Sequence, residues 1–509
     1  MKKMTIVVIF ITVIAKVFGF LRETILASFF GVGAITDAFN VASTIPSSVL
    51  SIVAAALVTG IIPMITRISS DGEDRVNYFT SNVLNIFLLF CAALMLVILA
   101  IPELVISVFA ANLNQEALVY AVSFLRVISF GIFSVAFVQL GSGYLNVKRS
   151  FIVPASITIV SNLTIIITII FASSINQPML LAYGQLLAMV IQTVVVIVFM
   201  YRAGFKYKAV IDFNDKDLRV MIRLALPLLI SAVLGQANDI IMKNVATVIY
   251  DGDGAFTYMN LATRLTSFVS GIFITAILNV TYPTIAENVV EGNIKKINKS
   301  INESILMISV FVVPALVGFI ALARGIVEIV YLRGLVTPAD IDVIVPIFIF
   351  DALVLIALSV RELFFRIHYA YHDMKSPVKI SVLVTGLFII GLLIFPALFG
   401  RFGHPLAGIA FAYSIAAIIG CYPNYLSVKR LVGKLNLRPV VKDLSKIIIS
   451  AAAMGVVLLL VKTPLVGLVG GTLGTIVSIV IGGLVYLVAI IGLKTNFVLQ
   501  LIYPIIFKK

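Results

Sequence analysis

The sequence has no tryptophan, two cysteines and three histidines in 509 residues, and only 12% of it is charged. Charge this sparse excludes a water-soluble enzyme, since soluble domains carry about 25% charged residues. The two cysteines, Cys91 and Cys421, both lie in apolar stretches, so no disulfide framework can be drawn. Two of the histidines, His368 and His372, flank a polar turn and read as loop histidines, because two ligands without a third make no zinc site. There is no glycine-rich phosphate loop, catalytic triad or two-cysteine metal pair, which argues against an ATP-driven pump built from this chain alone. Without tryptophan, the aromatic role at a membrane interface falls to the 17 tyrosines.

What the sequence does have is apolar length. Hydrophobic residues make up 61% of it, in blocks of about 20 residues or more, each able to cross a ~30 Å hydrocarbon core as a helix. The blocks predict fourteen spans, at 4–30, 35–67, 77–103, 117–145, 151–174, 179–203, 218–248, 256–287, 301–323, 340–371, 376–398, 404–430, 443–462 and 470–493. The chain reads as an all-α, polytopic membrane protein. An even number of spans puts both termini on one side. The apolar run after Met1-Lys2-Lys3 continues through Lys16 and Arg22 with no small-residue cleavage site, so it reads as a retained first helix.

The net charge of +14 is mostly a topology signal. Of the 37 basic residues, 26 fall on the side of the termini, four (Arg324, Arg333, Arg401 and Lys462) on the other, and seven within spans. By the positive-inside rule both termini are cytoplasmic. This asymmetry removes the main support for nucleic-acid binding.

The halves repeat. Asp37-Ala-Phe-Asn-Val-Ala aligns with Thr257-Tyr-Met-Asn-Leu-Ala at an offset of 220, and Pro63 aligns with Pro283 at the same offset. Asn146-Val-Lys-Arg-Ser resembles His372-Asp-Met-Lys-Ser, and each joins the fourth to the fifth helix of its half. Six helices separate the copies, so the repeats are parallel. The predicted organisation is an N-lobe at 1–205, an inter-lobe cytoplasmic loop at 206–217 that is the natural hinge, a C-lobe at 218–431, and two added helices with a cytoplasmic tail at 432–509.

An ionisable residue in a span costs ~2.5 to 3.5 kcal/mol on insertion scales and is a functional candidate by default. The first helix carries Lys16, Arg22 and Glu23, Asp37 opens the second, the seventh carries Asn238, Asp239 and Lys243, and the eighth carries Arg264. Lys16 lies ~18 Å into its helix, near the midplane, and Arg22 ~27 Å in. One reading joins these cations into a basic cavity for an anion. The other makes Arg22, Glu23 and Asp37 a structural ion cluster, with Lys243 snorkelling and Arg264 paired to Asp239. Glu362 and Arg366, spaced i, i+4, read with Arg361 as a local pair, and Asp351 and Arg126 stand isolated on apolar helices.

Lys16-Val-Phe-Gly-Phe-Leu-Arg-Glu, continuing through Phe29-Phe-Gly-Val-Gly-Ala-Ile-Thr-Asp to Pro46, resembles the signature of the MurJ (MviN) family of lipid II flippases. That family belongs to the multidrug/oligosaccharidyl-lipid/polysaccharide exporter superfamily. Ala262-Thr-Arg-Leu, Gly271 to Pro283, and Lys375-Ser-Pro-Val-Lys extend the resemblance along the chain. It implies a flippase of the bacterial plasma membrane and not an enzyme. The substrate would be a lipid-linked anionic saccharide, bound through Lys16, Arg22, Lys243 and Arg264 with Glu23 and Asp37 as acidic companions. It further implies cell-wall synthesis proteins as partners and leaves Asp239 as a candidate site for a sodium ion, the one candidate cofactor. The sequence departs from the family where Ser-Ser-Val-Leu follows Pro46 in place of an arginine pair, and where the eleventh helix lacks an Asn or Asp beside Asp239.

Two alternatives stay within transport: a flippase for another polyprenyl-diphosphate-linked polysaccharide unit, and a cation-coupled drug exporter. The exporter would want an acidic cavity. An integral membrane glycosyltransferase would want an acidic cluster facing a large aqueous loop, and no loop here exceeds about 20 residues.

Overall fold

The computed structural model describes residues 2–433, 435–495 and 497–498. Lys434, Lys508, Lys509 and the tail beyond 498 lie outside the described residues. Among those described the chain is helical throughout. The first half consists of α1 (Lys2–Phe30), α2 (Ala34–Ile68), α3 (Glu73–Ala100), α4 (Pro102–Phe109), α5 (Gln115–Ile128), α6 (Ile132–Val147), α7 (Ile152–Ser174) and α8 (Met179–Arg202). The second consists of α9 (Lys216–Ile249), α10 (Ala255–Val290), α11 (Ile294–Ala321), α12 (Ala323–Tyr331), α13 (Pro338–Ala352), α14 (Val354–Ala370), α15 (Lys375–Gly400) and α16 (Pro405–Val432). Helices α17 (Arg438–Val469) and α18 (Gly471–Gly492) follow.

Ten segments are long and apolar enough to cross a membrane, with α5–α6 and α13–α14 each counted as one. Helices α1, α2, α9 and α10, at 29, 35, 34 and 36 residues, are also longer than a bilayer requires. Together these give the fourteen spans read from the sequence.

Two features correct that reading. The fourth and tenth spans are each broken, the former by a 3₁₀ turn at Ser129–Gly131 and the latter at Leu353. Helices α4 and α12, of 8 and 9 residues, are too short to leave a hydropathy signal of their own. The second half nevertheless repeats the first element for element, including its short fourth helix and its broken fourth span.

The described residues form two compact units, one running to Asn260 together with Gly334–Val336, the other from Leu261 to Arg333 and from Thr337 onward. In the first, α1 packs on α7, α7 on α8, and α2 on α5, α6 and α9, so α9 stays with the first unit. Its core includes Ile45, Ile61, Phe79, Phe124 and Tyr144, all closed to solvent. In the second unit, α15 packs on α16 and α17 on α18 and α11. The α15–α16 contact depends on Gly408, where an added Cβ would stand 2.6 Å from the Phe395 carbonyl oxygen. Small residues of this kind let membrane helices approach closely.

The inter-lobe loop is stitched to α3 by a ladder of polar side chains. Asn77 and Ser81 accept the backbone N–H groups of Lys206 and Lys208 at 3.2 and 3.0 Å. The Asn82 amide both accepts the Asp212 N–H at 2.6 Å and donates to its carbonyl at 2.8 Å. Asn85 donates to the Val210 carbonyl at 2.8 Å and accepts from the Tyr207 hydroxyl at 2.9 Å. Residues 77, 81 and 85 recur every four positions, hence on one helix face. The ladder ends where Asp215, capping α9 through the N–H groups of Asp217 and Leu218, meets the Arg75 guanidinium at 2.8 Å. Arg75 also binds Asp217.

Burial pushes the Asp215 carboxyl up, but the Arg75 guanidinium and the two capping N–H groups outweigh it and hold the carboxyl below its ordinary value. A depressed carboxyl contributes stability that is present above the unfolded-state value, about 3.9, and is lost as pH falls through the folded one. Purified protein should therefore melt at a lower temperature below about pH 4 than at pH 7. Asp215→Asn should lower the midpoint at pH 7 and flatten this acid dependence, which thermal unfolding across pH checks.

Candidate functional site

Two of the carboxylates singled out in the sequence, Asp37 and Glu23, turn to the start of α10. Helix α1 stops at Phe30, where Gly31 turns the chain with φ +71°. Helix α2 starts three residues later, which places Asp37 in its first turn, where a helix favours negative charge. Asp37 is 4% exposed. Its carboxylate turns to the start of α10, accepting the N–H of Gly254 at 3.1 Å, the N–H of Thr257 at 2.8 Å and the Thr257 hydroxyl at 2.6 Å. The amide of Asn40, one turn along α2, donates to the same hydroxyl at 3.1 Å. The approach needs a glycine at 254, whose φ is +88° and where a Cβ would stand 2.6 Å from Val32.

Glu23 of α1 is also buried, at 4% exposure. One of its oxygens binds the Arg22 guanidinium, and the other accepts from the Asn260 amide at 3.2 Å. Thr257 and Asn260 are three residues apart, so α1 and α2 each aim a carboxylate at one face of α10. Arg22 keeps a quarter of its side chain exposed. Lys16, seven residues before Glu23 and so on the same stripe of α1, is half-buried.

On α9 the Lys243 ammonium donates to Asp239 at 2.9 Å and lies 5.3 Å from the centroid of the Phe256 ring. Lys243 is therefore buried and does not snorkel, and its partner Asp239 is 40% exposed. The first unit thus holds two ion pairs, Arg22 with Glu23 and Lys243 with Asp239, together with Lys16 and Asp37. Arg264 belongs to the second unit, four residues beyond Asn260 along α10, and is exposed.

The sequence reading missed Asn40, Thr257 and Asn260. The signal was present in the repeat, because Asp37 and Thr257 occupy equivalent positions, as do Asn40 and Asn260. Uncharged residues were passed over although they complete the carboxylates' bonding.

The other candidates have their own surroundings. Arg361 donates to Glu362 at 3.0 Å, and Arg366 lies over the Tyr282 ring at 5.5 Å. His368 is not a loop residue: it sits in the last turn of α14, closed to solvent, with Nδ1 3.0 Å from Asp373. Asp373 in turn accepts the N–H groups of Lys375 and Ser376 at the start of α15. Asp351 is buried, and Arg126 is exposed near the break between α5 and α6.

A sodium ion at Asp239 does not fit this arrangement, since hard cations want several oxygen ligands and this carboxylate already holds an ammonium. No group of three or more acidic, histidine or cysteine side chains suited to a metal occurs among the described residues.

The family model described as "Lipid II flippase MurJ" matches residues 26–481. A curated relative from Rickettsia prowazekii (strain Madrid E), named "Probable lipid II flippase MurJ", is 27% identical over 466 residues, covering 90% of this chain and 89% of its own length. A relative of the same name from Thermotoga maritima is 25% identical over 476 residues, covering 93% of each. Among solved structures, one titled "Lipid II flippase MurJ, inward closed conformation" superposes with a TM-score of 0.82 at 24% identity, over 98% of this chain and 100% of that one. An inward-facing multidrug resistance MATE family transporter of the MOP superfamily superposes at 0.68 with 16% identity, over 83% of this chain and 95% of the other. The structural likeness carries the fold, fourteen spans in two six-helix repeats with two more appended. The match over residues 26–481 carries the family: this chain belongs to the lipid II flippase MurJ family.

Proposed function

We propose that this protein moves lipid II, a saccharide linked through diphosphate to undecaprenol, from the inner to the outer leaflet of the bacterial plasma membrane by alternating access. The observation that carries the reading is family membership across residues 26–481. The chain's own residues add a charged seam on α1, α2 and α9 where a spanning bundle would otherwise be apolar. Both termini face the cytoplasm, on the distribution of basic residues in the loops.

The chemistry is transport. The saccharide and diphosphate must cross a region that charges a heavy desolvation cost, while the polyprenyl tail stays in lipid. Arg22 supplies a planar fork that fits a phosphate bidentately, and Lys16 supplies a point charge. Lys243, held by Asp239 and Phe256, adds a buried positive charge that a diphosphate draws out by displacing Asp239. Arg264, exposed on the second unit, is a phosphate-binding candidate by the family resemblance. Glu23 and Asp37 are positioning residues on this account, since their oxygens are engaged by Arg22, Asn260, Gly254 and Thr257.

With a negative interior, outward transfer of an anion gains ~2.3 kcal/mol per charge per 100 mV, or about 4.6 for two charges. The potential can therefore give direction without ATP. A sodium ion at Asp239 would have to compete with the Lys243 ammonium, so on this reading the potential acts alone. The poor fit of a neutral or cationic drug to Arg22 and Lys16 disfavours the drug-exporter alternative.

Complementation of a flippase-depleted strain, read with a lipid II accessibility assay, tests the function. Arg22→Ala should lower flipping about 10- to 100-fold, the loss expected for one charge-assisted phosphate contact, with Arg22→Lys intermediate. Unchanged flipping in Arg22→Ala protein made at normal levels contradicts the site, and failure of the parent to complement contradicts the function. Collapsing the membrane potential should slow outward flipping, while replacing external sodium by choline should leave it unchanged, both measured in the same assay.

A further inference from the structure

The segment 205–213 has a second property that the ladder on α3 does not by itself require. Its residues alternate, with Lys208, Val210 and Asp212 turned toward α3 and Tyr207, Ala209, Ile211 and Phe213 exposed. Tyr207, Ile211 and Phe213 are 49, 52 and 62% exposed, an apolar stripe on a loop flanked by cations. The segment also climbs α3. It enters opposite Asn77, reaches Asn85 at residues 207–210, and returns opposite Asn82 toward Arg75. Asn77 to Asn85 is eight residues, about 12 Å along a helix axis. Asn85 lies inside the third span, one turn before Leu89 and Phe90, which are 48 and 43% exposed on the apolar surface.

Irregular backbone at membrane depth is tolerated only where protein satisfies its polar groups. Here the N–H groups of 206, 208 and 212 and the carbonyls of 208, 210 and 212 are all bonded to α3 side chains. Beneath the climb lies a hollow of about 250 Å³ whose walls include Leu84, Leu88, Phe137, Tyr201, Phe205 and Tyr207. Arg202 and Lys206, at the entry to the segment, are exposed.

We propose that 205–213 is a re-entrant strap on the basic-loop side of the membrane and that it forms a binding site for an anionic phospholipid. An acyl chain enters the aromatic hollow, the headgroup phosphate rests on Arg202 and Lys206, and Ile211 and Phe213 sit in the interfacial layer. The occupant follows from two properties of the place: the hollow is lined by apolar and aromatic side chains, and the exposed cations Arg202 and Lys206 adjoin its lining residues Tyr201 and Phe205 in the chain, on the side where anionic lipids gather. The inference rests on the multi-span reading alone and not on the flippase assignment.

The chain's lack of tryptophan makes the test direct, because Phe213→Trp introduces a single indole. The full-length variant is placed in phosphatidylcholine vesicles. Indole quenching is then read against rising fractions of chain-brominated phosphatidylglycerol, or of chain-brominated phosphatidylcholine. Brominated phosphatidylglycerol should half-quench at a mole fraction roughly 25-fold lower, since each of the two cations near the surface favours anionic lipid by about fivefold. Arg202→Ala with Lys206→Ala should erase that difference while leaving quenching by brominated phosphatidylcholine. No quenching in either series overturns the strap, and equal midpoints overturn the phospholipid site. Reversal of quenching by an equal fraction of unbrominated polyprenyl phosphate reassigns the hollow and overturns the proposal. Should Phe213→Trp protein fail to fold, Ile211→Trp carries the same measurement with the same outcomes.

Discussion

A helix that starts in a buried site has no water for its first turn, whose N–H groups have no partners within the helix itself. At the start of α10 that need is met by a carboxylate from another helix, Asp37 of α2. The bond satisfies both sides, because Asp37 would be an uncompensated buried charge without those donors. The rest of the candidate site follows from it. Once Thr257 is fixed against Asp37, Asn260 is presented to Glu23, Glu23 orients Arg22, and Phe256 lies beside Lys243. Asp37 and Thr257 are the same position in the two repeats, so the internal duplication supplies both halves of the contact.

Hydropathy made the spans legible, because length in apolar residues is what a bilayer measures. It did not reveal α4, α12 or the breaks near 130 and 353, since 8- and 9-residue helices and mid-span kinks leave an apolar run intact. The bonding of the 206–217 loop was hidden for a related reason. Asn77, Ser81, Asn82 and Asn85 look like a polar edge on a spanning helix, and only the folded chain shows that edge bonding the linker backbone. The charged site residues were visible because each is costly in lipid. Their uncharged partners were not, and neither was the near balance of charge among them. A count of cations alone implied a basic cavity, whereas the geometry shows Arg22 and Lys243 each already holding a carboxylate.

That balance bears on how a lipid-linked diphosphate is handled. A fully unpaired basic pocket would bind such a ligand tightly and release it slowly, while cations that return to Glu23 and Asp239 have somewhere to go once it leaves. Differential affinity between two states is what moves a conformational equilibrium, and paired cations provide it through the exchange of one anion for another. The scarcity of tryptophan, cysteine and charge noted at the start fits the same picture, a chain whose few polar side chains are concentrated where helix ends, a linker and a passing headgroup need them.

The central claim is that Asp37 and Thr257, both buried, are energetically coupled and that the site's geometry hangs on that coupling. A double-mutant cycle with Asp37→Asn, Thr257→Val and the double variant, read as thermal or denaturant stability of the purified protein, measures it directly. The account predicts a coupling of about 0.5 to 3 kcal/mol, with the double variant less destabilised than the sum of the singles. Strict additivity of the two substitutions would contradict it.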